Sequence, residues 1–131
     1  MTEHYQKVKS FLQLLDFDIS TEKPQEHILV INKEQEGIKN LILGVFSPIL
    51  IIEQHLFDLS RTDTTVFKKL LQKNRDIVHG AFVLDETGEK VIFRDTLRLQ
   101  NLDLDELEGS LNSLSLLLSE YAEQIINYSK Q

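Results

Sequence analysis

Apolar residues recur along this chain in two rhythms, one of three to four and one of two, and their alternation lays out the elements. Tyr5, Val8, Phe11, Leu12 and Leu15 fall on one face of a helix running from Thr2 to Leu15. Asp16-Phe17-Asp18 ends it, and Phe17, Ile19 and Thr21 then alternate as a short strand stopped by Pro24. His27 to Lys33 reads as a strand, Glu34-Gln35-Glu36-Gly37 as a polar turn, and Ile38 to Phe46 as the return strand. A four-residue loop sets Val30 opposite Leu41, Ile28 opposite Leu43 and Leu29 opposite Ile42. Both faces of that pair are apolar, which predicts strands in mid-sheet and covered on both sides. Ser47-Pro48 marks a turn, because proline cannot donate to a ladder. Ile49 to Phe57 continues as a strand, with Leu50, Ile52 and Leu56 on one side and Ile49, Ile51, Glu53, His55 and Phe57 on the other.

Arg61-Thr62-Asp63 signals a second helix start, Val66, Phe67, Leu70 and Leu71 form its stripe, and Asn74 suits a left-handed terminating residue. The most sharply patterned stretch follows, from Asn74 to Leu99. It is a hairpin turning at Asp85-Glu86-Thr87-Gly88-Glu89, where Gly88 supplies a positive φ. Its register sets Leu84 opposite Val91, Val83 opposite Ile92 and Phe82 opposite Phe93. Val78, Phe82, Leu84, Val91, Phe93 and Leu97 then share a core face, and His79, Ala81, Val83, Ile92, Arg94 and Thr96 share the other. Asp103 as N-cap, with Glu106 three residues on, opens a long C-terminal helix. Its stripe is Leu104, Leu107, Leu111, Leu114, Leu118, Tyr121, Ile125 and Tyr128. Leu116, Leu117, Ala122 and Ile126 widen the stripe, which suits packing on a sheet better than a coiled-coil seam.

The expected fold is α+β: an antiparallel sheet with the N-terminal and long C-terminal helices on one face, in the order α-β-β-β-α-β-β-α. The variant with one extra strand before the middle helix has the same layers. A helix of about 25 residues runs roughly 37 Å, whereas a five-stranded sheet is only about 24 Å across. The helix must therefore cross diagonally or overhang, and an overhang would leave Ala122, Ile125, Ile126 and Tyr128 in need of another surface, such as a second subunit. On the sheet, Ala81, Val83 and Ile92, with Leu29, Ile31, Ile42 and Phe46 of the first pair, lie opposite the expected core faces. They form an interaction surface if the helices cover one side only, and core if the middle helix, Asp63 to Asn74, covers the other.

At 131 residues and 15.2 kDa the chain suits one domain, residues 1–131. A net charge of −7 disfavours attraction to nucleic acid or anionic lipid, and no Lys/Arg run exceeds Lys68-Lys69. Without cysteine there is no disulfide framework and no thiolate chemistry, which fits a reducing, cytoplasmic setting. The polar N-terminal stretch lacks the apolar core of a signal peptide. Leu41 to Ile52 is uncharged but too short to span a bilayer as a helix, which takes about 20 residues, and Pro48 interrupts it. No membrane partner is expected.

Chemistry-bearing residues are few. Glu53 and His55, two apart on a strand, point the same way and could supply two metal ligands, but no third is signalled. Asp103, Asp105, Glu106 and Glu108 are accounted for by the helix start and lack EF-hand spacing. Ser110, Ser113, Ser115 and Ser119 lie among leucines on a helix, with no nucleophile elbow. The glycines are scattered singly, so no phosphate-binding loop exists. No catalytic residue, cofactor or metal site is expected.

Residues 70–99 carry a resemblance. A helix ending in Leu70-Leu71-x-x-Asn74 leads into Gly80-x-Phe82-x-Leu84-Asp85-x-x-Gly88 and then Val91-x-Phe93. With the order of elements, this resembles the type III secretion chaperone-like fold, including its YbjN-like family of small bacterial proteins. The resemblance implies a homodimer that binds an extended segment of a client protein along apolar surface, partly by strand addition, without nucleotide hydrolysis. Together these readings point to a non-enzymatic protein-binding module with interface candidates Ala81, Val83, Ile92, Ile125, Ile126 and Tyr128. Two alternatives stand beside it: a small-molecule binder or enzyme with a pocket between helix and sheet, and a purely structural dimerisation module.

Overall fold

The second hairpin forms in the register its alternation predicts, while the first is displaced by one residue, and the displacement decides which side chains face the core. The computed structural model describes residues 2–60 and 63–129. In order they form α1 (Thr2–Leu14), β1 (Asp18–Lys23), β2 (Ile28–Lys33), β3 (Ile38–Phe46), β4 (Ile49–Asp58), α2 (Thr64–Asn74), β5 (Ala81–Leu84), β6 (Lys90–Arg98), α3 (Leu104–Glu120) and α4 (Ala122–Ser129). The strands make one six-stranded antiparallel sheet in the order β1-β2-β3-β4-β6-β5. This is the expected α+β arrangement, with the extra strand before α2 present.

In the β2–β3 hairpin Lys33 faces Ile38, as the four-residue loop requires, but Ile31 faces Leu41, Val30 faces Ile42 and Leu29 faces Leu43. One extra residue has entered β3, and Asn40 there takes a left-handed φ of 52°. The reason lies in the spacing. Ile38, Leu41, Leu43 and Val45 are all buried, and the step from Ile38 to Leu41 is odd, so a period-two strand must bulge to point both inward. Side chains hold the bulge: Asn32 Oδ1 accepts from the Asn40 N–H at 2.8 Å, and Gln54 Oε1 accepts from the Lys39 N–H at 3.1 Å. Gln54 Nε2 also donates to the Gly37 carbonyl, which explains a glutamine buried in a strand. The expected pairing of Val30 with Leu41 is therefore corrected. So is its consequence: Leu29 and Ile31 belong to the core, and Ile28 and Val30 take the opposite face. A second bulge on β4, between His55 and Phe57, turns Phe57 into the core against Val91 and reverses its expected side.

The β5–β6 hairpin pairs Leu84 with Val91, Val83 with Ile92 and Phe82 with Phe93. Phe82, Val91 and Phe93 are buried, but Leu84 is partly exposed at the sheet's end and Val78 lies exposed before the strand begins. Asp85 organises the turn. Its Oδ1 accepts from the Thr87 hydroxyl at 2.7 Å and from the Lys90 N–H at 3.2 Å, and Gly88 has a φ of 74°.

Of the second helix-start signal, Arg61 and Thr62 lie outside the described residues, and Asp63 caps α2 by accepting from the Val66 N–H. Asn74 ends α2 but is not left-handed; the capping residue is Arg75, with φ −57°. Asp103 caps α3 as expected, accepting from the Glu106 N–H at 2.8 Å. The expected single C-terminal helix is broken at Tyr121, with φ −109° and ψ 14°. No proline or glycine stands there, and the break is fixed by packing instead. The Tyr121 ring meets Phe82 edge-on at 6.4 Å and receives the Lys73 ammonium 4.5 Å from its centroid. The bend sends α4 back over β4, where Tyr128 is buried with its ring centroid 6.0 Å from that of Phe57. Tyr128 therefore does not overhang the sheet. Leu41 to Ile52 forms the β3–β4 hairpin, and no helix among the described residues is long and apolar enough to cross a membrane.

Neighbouring residues of β3 should respond oppositely to truncation. Leu43→Ala should cost about 2–5 kcal/mol in urea unfolding, whereas Ile42→Ala should cost less than about 1 kcal/mol; equal costs would put the bulge in the wrong place. The turn has a pH signature as well. The Thr87 hydroxyl holds the Asp85 carboxyl below its usual range, outweighing the opposing effect of burial, and the backbone N–H groups of Lys90, Glu89 and Gly88 lower it further. A lowered folded pKa contributes stability that is present above the unfolded aspartate value and is lost as pH falls through the folded one. Asp85→Asn should therefore flatten the acid limb of the stability curve below about pH 4, as followed by thermal unfolding at a series of pH values.

Candidate functional site

Three helices lie on one face of the sheet and are tied to it by side chains. Tyr5 donates from its hydroxyl to the Ile28 carbonyl, Ser110 bonds Asp95, and Ser115 donates to the Glu36 carbonyl. Of the serines singled out on α3, Ser110 thus ties the helix to β6, while Ser115 and Ser113 tie it to the segments that precede β3 and β5, Ser113 through the His79 carbonyl. Under α1, α3 and α4 sit Leu29, Ile31, Leu41, Leu43, Leu50, Ile52 and Phe93, all essentially inaccessible. The middle helix does not cover the opposite face. It packs at the β5 edge, where Phe67, Leu70 and Leu71 form an open groove of about 290 Å³ with Phe82, Val83 and Leu84.

The opposite face carries no helix among the described residues. Reading across the strands, one row is Thr21, Val30, Ile42, Glu53, Arg94 and Ala81. The next row is Lys23, Ile28, Gly44, Ile51 and Thr96, and beyond it come Phe46, Ile49 and Arg98. On the other flank Val83, Ile92 and His55 stand side by side. Ile42 remains 45% exposed and Phe46 40%. The Phe46 ring lies flat over Gly44, where a Cβ would overlap it, so glycine is what lets that ring settle on the sheet.

Ala81, Val83 and Ile92 are brought together at one end of this face, each half-buried. The other three interface candidates are elsewhere. Ile126 is exposed on α4, Ile125 is half-buried against the core, and Tyr128 is taken up inside its own subunit. Leu29 and Ile31, expected on the open face, are core; Ile28, Val30, Ile49 and Ile51 join it in their place. The signal that could have found them was the odd apolar step from Ile38 to Leu41, with an asparagine inside it.

The polar candidates are engaged with one another. Arg94 donates to Glu53 Oε2 at 2.8 Å across adjacent strands, both side chains partly solvated. His55 Nε2 and Asp58 Oδ1 are 2.7 Å apart. Glu53 and His55 therefore do not converge on an ion, and no group of three or more ligand-type side chains occurs among the described residues. A depression of about 430 Å³ borders His55, lined also by Gln54, Leu56, Leu118 and Ile125, with no carboxylate among its lining residues. That is not the convergent acid–base geometry a catalytic pocket needs.

The sequence model of CesT_Tir_1, a type III secretion chaperone family, matches residues 1–131. The chain belongs to that family. Solved structures of similar fold include YbjN from E. coli, with a TM-score of 0.72 at 12% identity over 95% of this chain and 94% of that one. The Yersinia pestis type III secretion chaperone SycH, in complex with a stable fragment of YscM2, gives 0.60 at 14% identity over 96% and 99%. The ExoT–SpcS complex from Pseudomonas aeruginosa gives 0.61 at 16% over 92% and 98%. At these identities the likeness is one of fold. No curated protein matches the sequence at a significant level.

Two substitutions separate surface from interior here. Glu53→Gln should shift stability by less than about 1 kcal/mol, since the pair it breaks is solvated. Tyr128→Ala should cost about 3–5 kcal/mol because it empties a site inside the subunit. Denaturant titration of both at one protein concentration checks this, and a mild Tyr128→Ala would return that residue to the surface.

Proposed function

We propose that the protein is a non-enzymatic, chaperone-like binding module that works as a cytoplasmic homodimer. It takes an extended segment of a protein partner on its uncovered sheet face and a sheet edge. The observation that carries this reading is the band of Ile28, Val30, Ile42, Phe46, Ile49 and Ile51 on the side that no helix among the described residues covers. Membership of a secretion-chaperone family supports it, as do relatives of the same fold solved with protein partners.

Magnitudes shape the mechanism. Full burial of one large aliphatic side chain is worth roughly 1.5–3 kcal/mol, and these residues are already half-buried. Covering the band therefore yields on the order of 5 kcal/mol, which the ordering of an extended segment largely offsets. Apolar contact alone is too weak for stable capture. Backbone pairing at an edge strand adds directional hydrogen bonds, and a second subunit adds a second site at high effective concentration. Arg94 is paired with Glu53 at the centre of the face, and Lys23 and Arg98 add positive charge at its margin. The segment that fits is accordingly apolar in its middle with room for an acidic residue at its ends, in spite of the chain's net charge of −7.

Ile42→Glu and Val83→Glu place a carboxylate in the middle and at one end of the face. Each should weaken recovery of the partner that co-purifies with the wild type by about tenfold or more, one buried charge being worth at least that. Light scattering on the same samples reports the oligomer. If both variants dimerise and capture the partner as the wild type does, the face is not the binding surface. If both become monomers and the wild type brings down no partner, the face serves self-association alone.

A further inference from the structure

The sheet ends in two edge strands, β1 and β5, and they are finished differently. Beside β5 stands the side chain of Asn74, the last residue of α2. Its Nδ2 donates to the Phe82 carbonyl at 3.0 Å and its Oδ1 accepts from the Phe82 N–H at 2.8 Å. A carboxamide presents one donor and one acceptor side by side, as a residue of a neighbouring strand does. Phe82 faces Phe93 in the ladder with β6, and the polar pair it turns outward is consumed by Asn74. Along β5 the next outward pair belongs to Leu84, whose side chain is 43% exposed. Among the described residues no side-chain amide bonds the backbone of β1.

The amide is not needed to end the helix. Arg75 is the capping residue, and its N–H reaches the carbonyls of Gln72 and Lys73. Nor is it what buries α2, whose Val66 and Leu70 reach the core without it. What the side chain does is occupy the place of a further strand. An open edge invites pairing with another chain, and the apolar groove beside β5 would favour an apolar strand there.

We propose that Asn74 is an edge lock: its amide closes β5 against strand addition by a second chain, so that the sheet can be extended only from β1. The lock stands independently of the binding reading given above; the assignment of an incoming segment to β1 rests on it.

The chain has no cysteine, so single cysteines report each edge cleanly. Leu84→Cys marks β5 and Lys23→Cys marks β1. With Asn74→Ala, oxidative cross-linking of the Leu84→Cys protein to a second copy should rise by about tenfold, and larger species should appear in sedimentation. Cross-linking through Lys23→Cys should not change. A lower melting temperature with unchanged cross-linking at Leu84→Cys would mean that Asn74 only ties α2 to the sheet, and would overturn the lock. Should Asn74→Ala fail to fold, Asn74→Asp keeps the size and the acceptor, loses the donor, and should move the same readout in the same direction. With Asn74 intact, a cysteine-bearing peptide of alternating valine and threonine should couple to Lys23→Cys about tenfold faster than to Leu84→Cys. Equal coupling at both edges overturns the lock. Coupling at neither edge, with β5 opening in Asn74→Ala, leaves the lock and removes strand addition at β1.

Discussion

Ile38, Leu41, Leu43 and Val45 all reach the helix-covered face, and a strand of period two cannot deliver the first two of them together without an added residue. The bulge at Asn40 is the point on which the distribution of apolar side chains turns. Beyond it, β2 and β3 place Leu29, Ile31, Leu41 and Leu43 inside and Ile28, Val30 and Ile42 outside. Shifted by one, those strands would send the second set to the helices, and the residues now packed under α1 and α3 would face water. The buried Gln54, bonded to Gly37 and Lys39 from the neighbouring strand, belongs to the same constraint. An apolar side chain there would leave two backbone groups at the bulge without partners.

A sheet of six strands offers two faces, and the helices of this chain serve one. The break at Tyr121 sharpens that asymmetry, because it returns α4 to the covered side, where Tyr128 packs on Phe57. Helix that could have reached beyond the sheet is spent on the core. With α2 placed at the β5 edge, nothing among the described residues crosses to the other face. Its rows of isoleucine and valine are left half-buried or exposed, and scattered polar substitutions there would cost the fold little.

Much of this was legible in the residues, and the parts that were not share a physical cause. Element order, the β5–β6 register and the Asp103 cap follow from alternation, turn chemistry and a capping box, all of which act within a few residues of one another. The β2–β3 register escaped because the loop length alone argued for a bulge-free hairpin, while the decisive contacts come from Asn32 and Gln54. The bend at Tyr121 escaped because the residues that pack on its ring, Phe82 and Lys73, lie far away along the chain. Asn74 is the intermediate case. Its place at the end of α2 was clear, but its purpose was not, since the partner of its amide is Phe82 in the next strand and the helix closes without it. For the candidate site, Val83 and Ile92 were recoverable from one hairpin, whereas Tyr128 was misplaced by treating a broken helix as straight.

A protein that keeps an apolar face open has to prevent its own copies from stacking without limit, and edges are where such growth starts. Here the two hazards are separated in space. The face is interrupted at its centre by the solvated Arg94–Glu53 pair, which a flat apolar partner would have to desolvate. At the β5 end, backbone groups that would template a strand are taken by a side chain of the same chain. Neither device contributes much to the stability of the subunit, because one is partly exposed and the other replaces bonds that water would otherwise supply. Their value lies in selectivity: they raise the free energy of wrong assemblies more than they lower that of the fold. Under the proposed lock, a sheet that can be extended only from β1 suits one incoming segment per subunit and not an open-ended fibre.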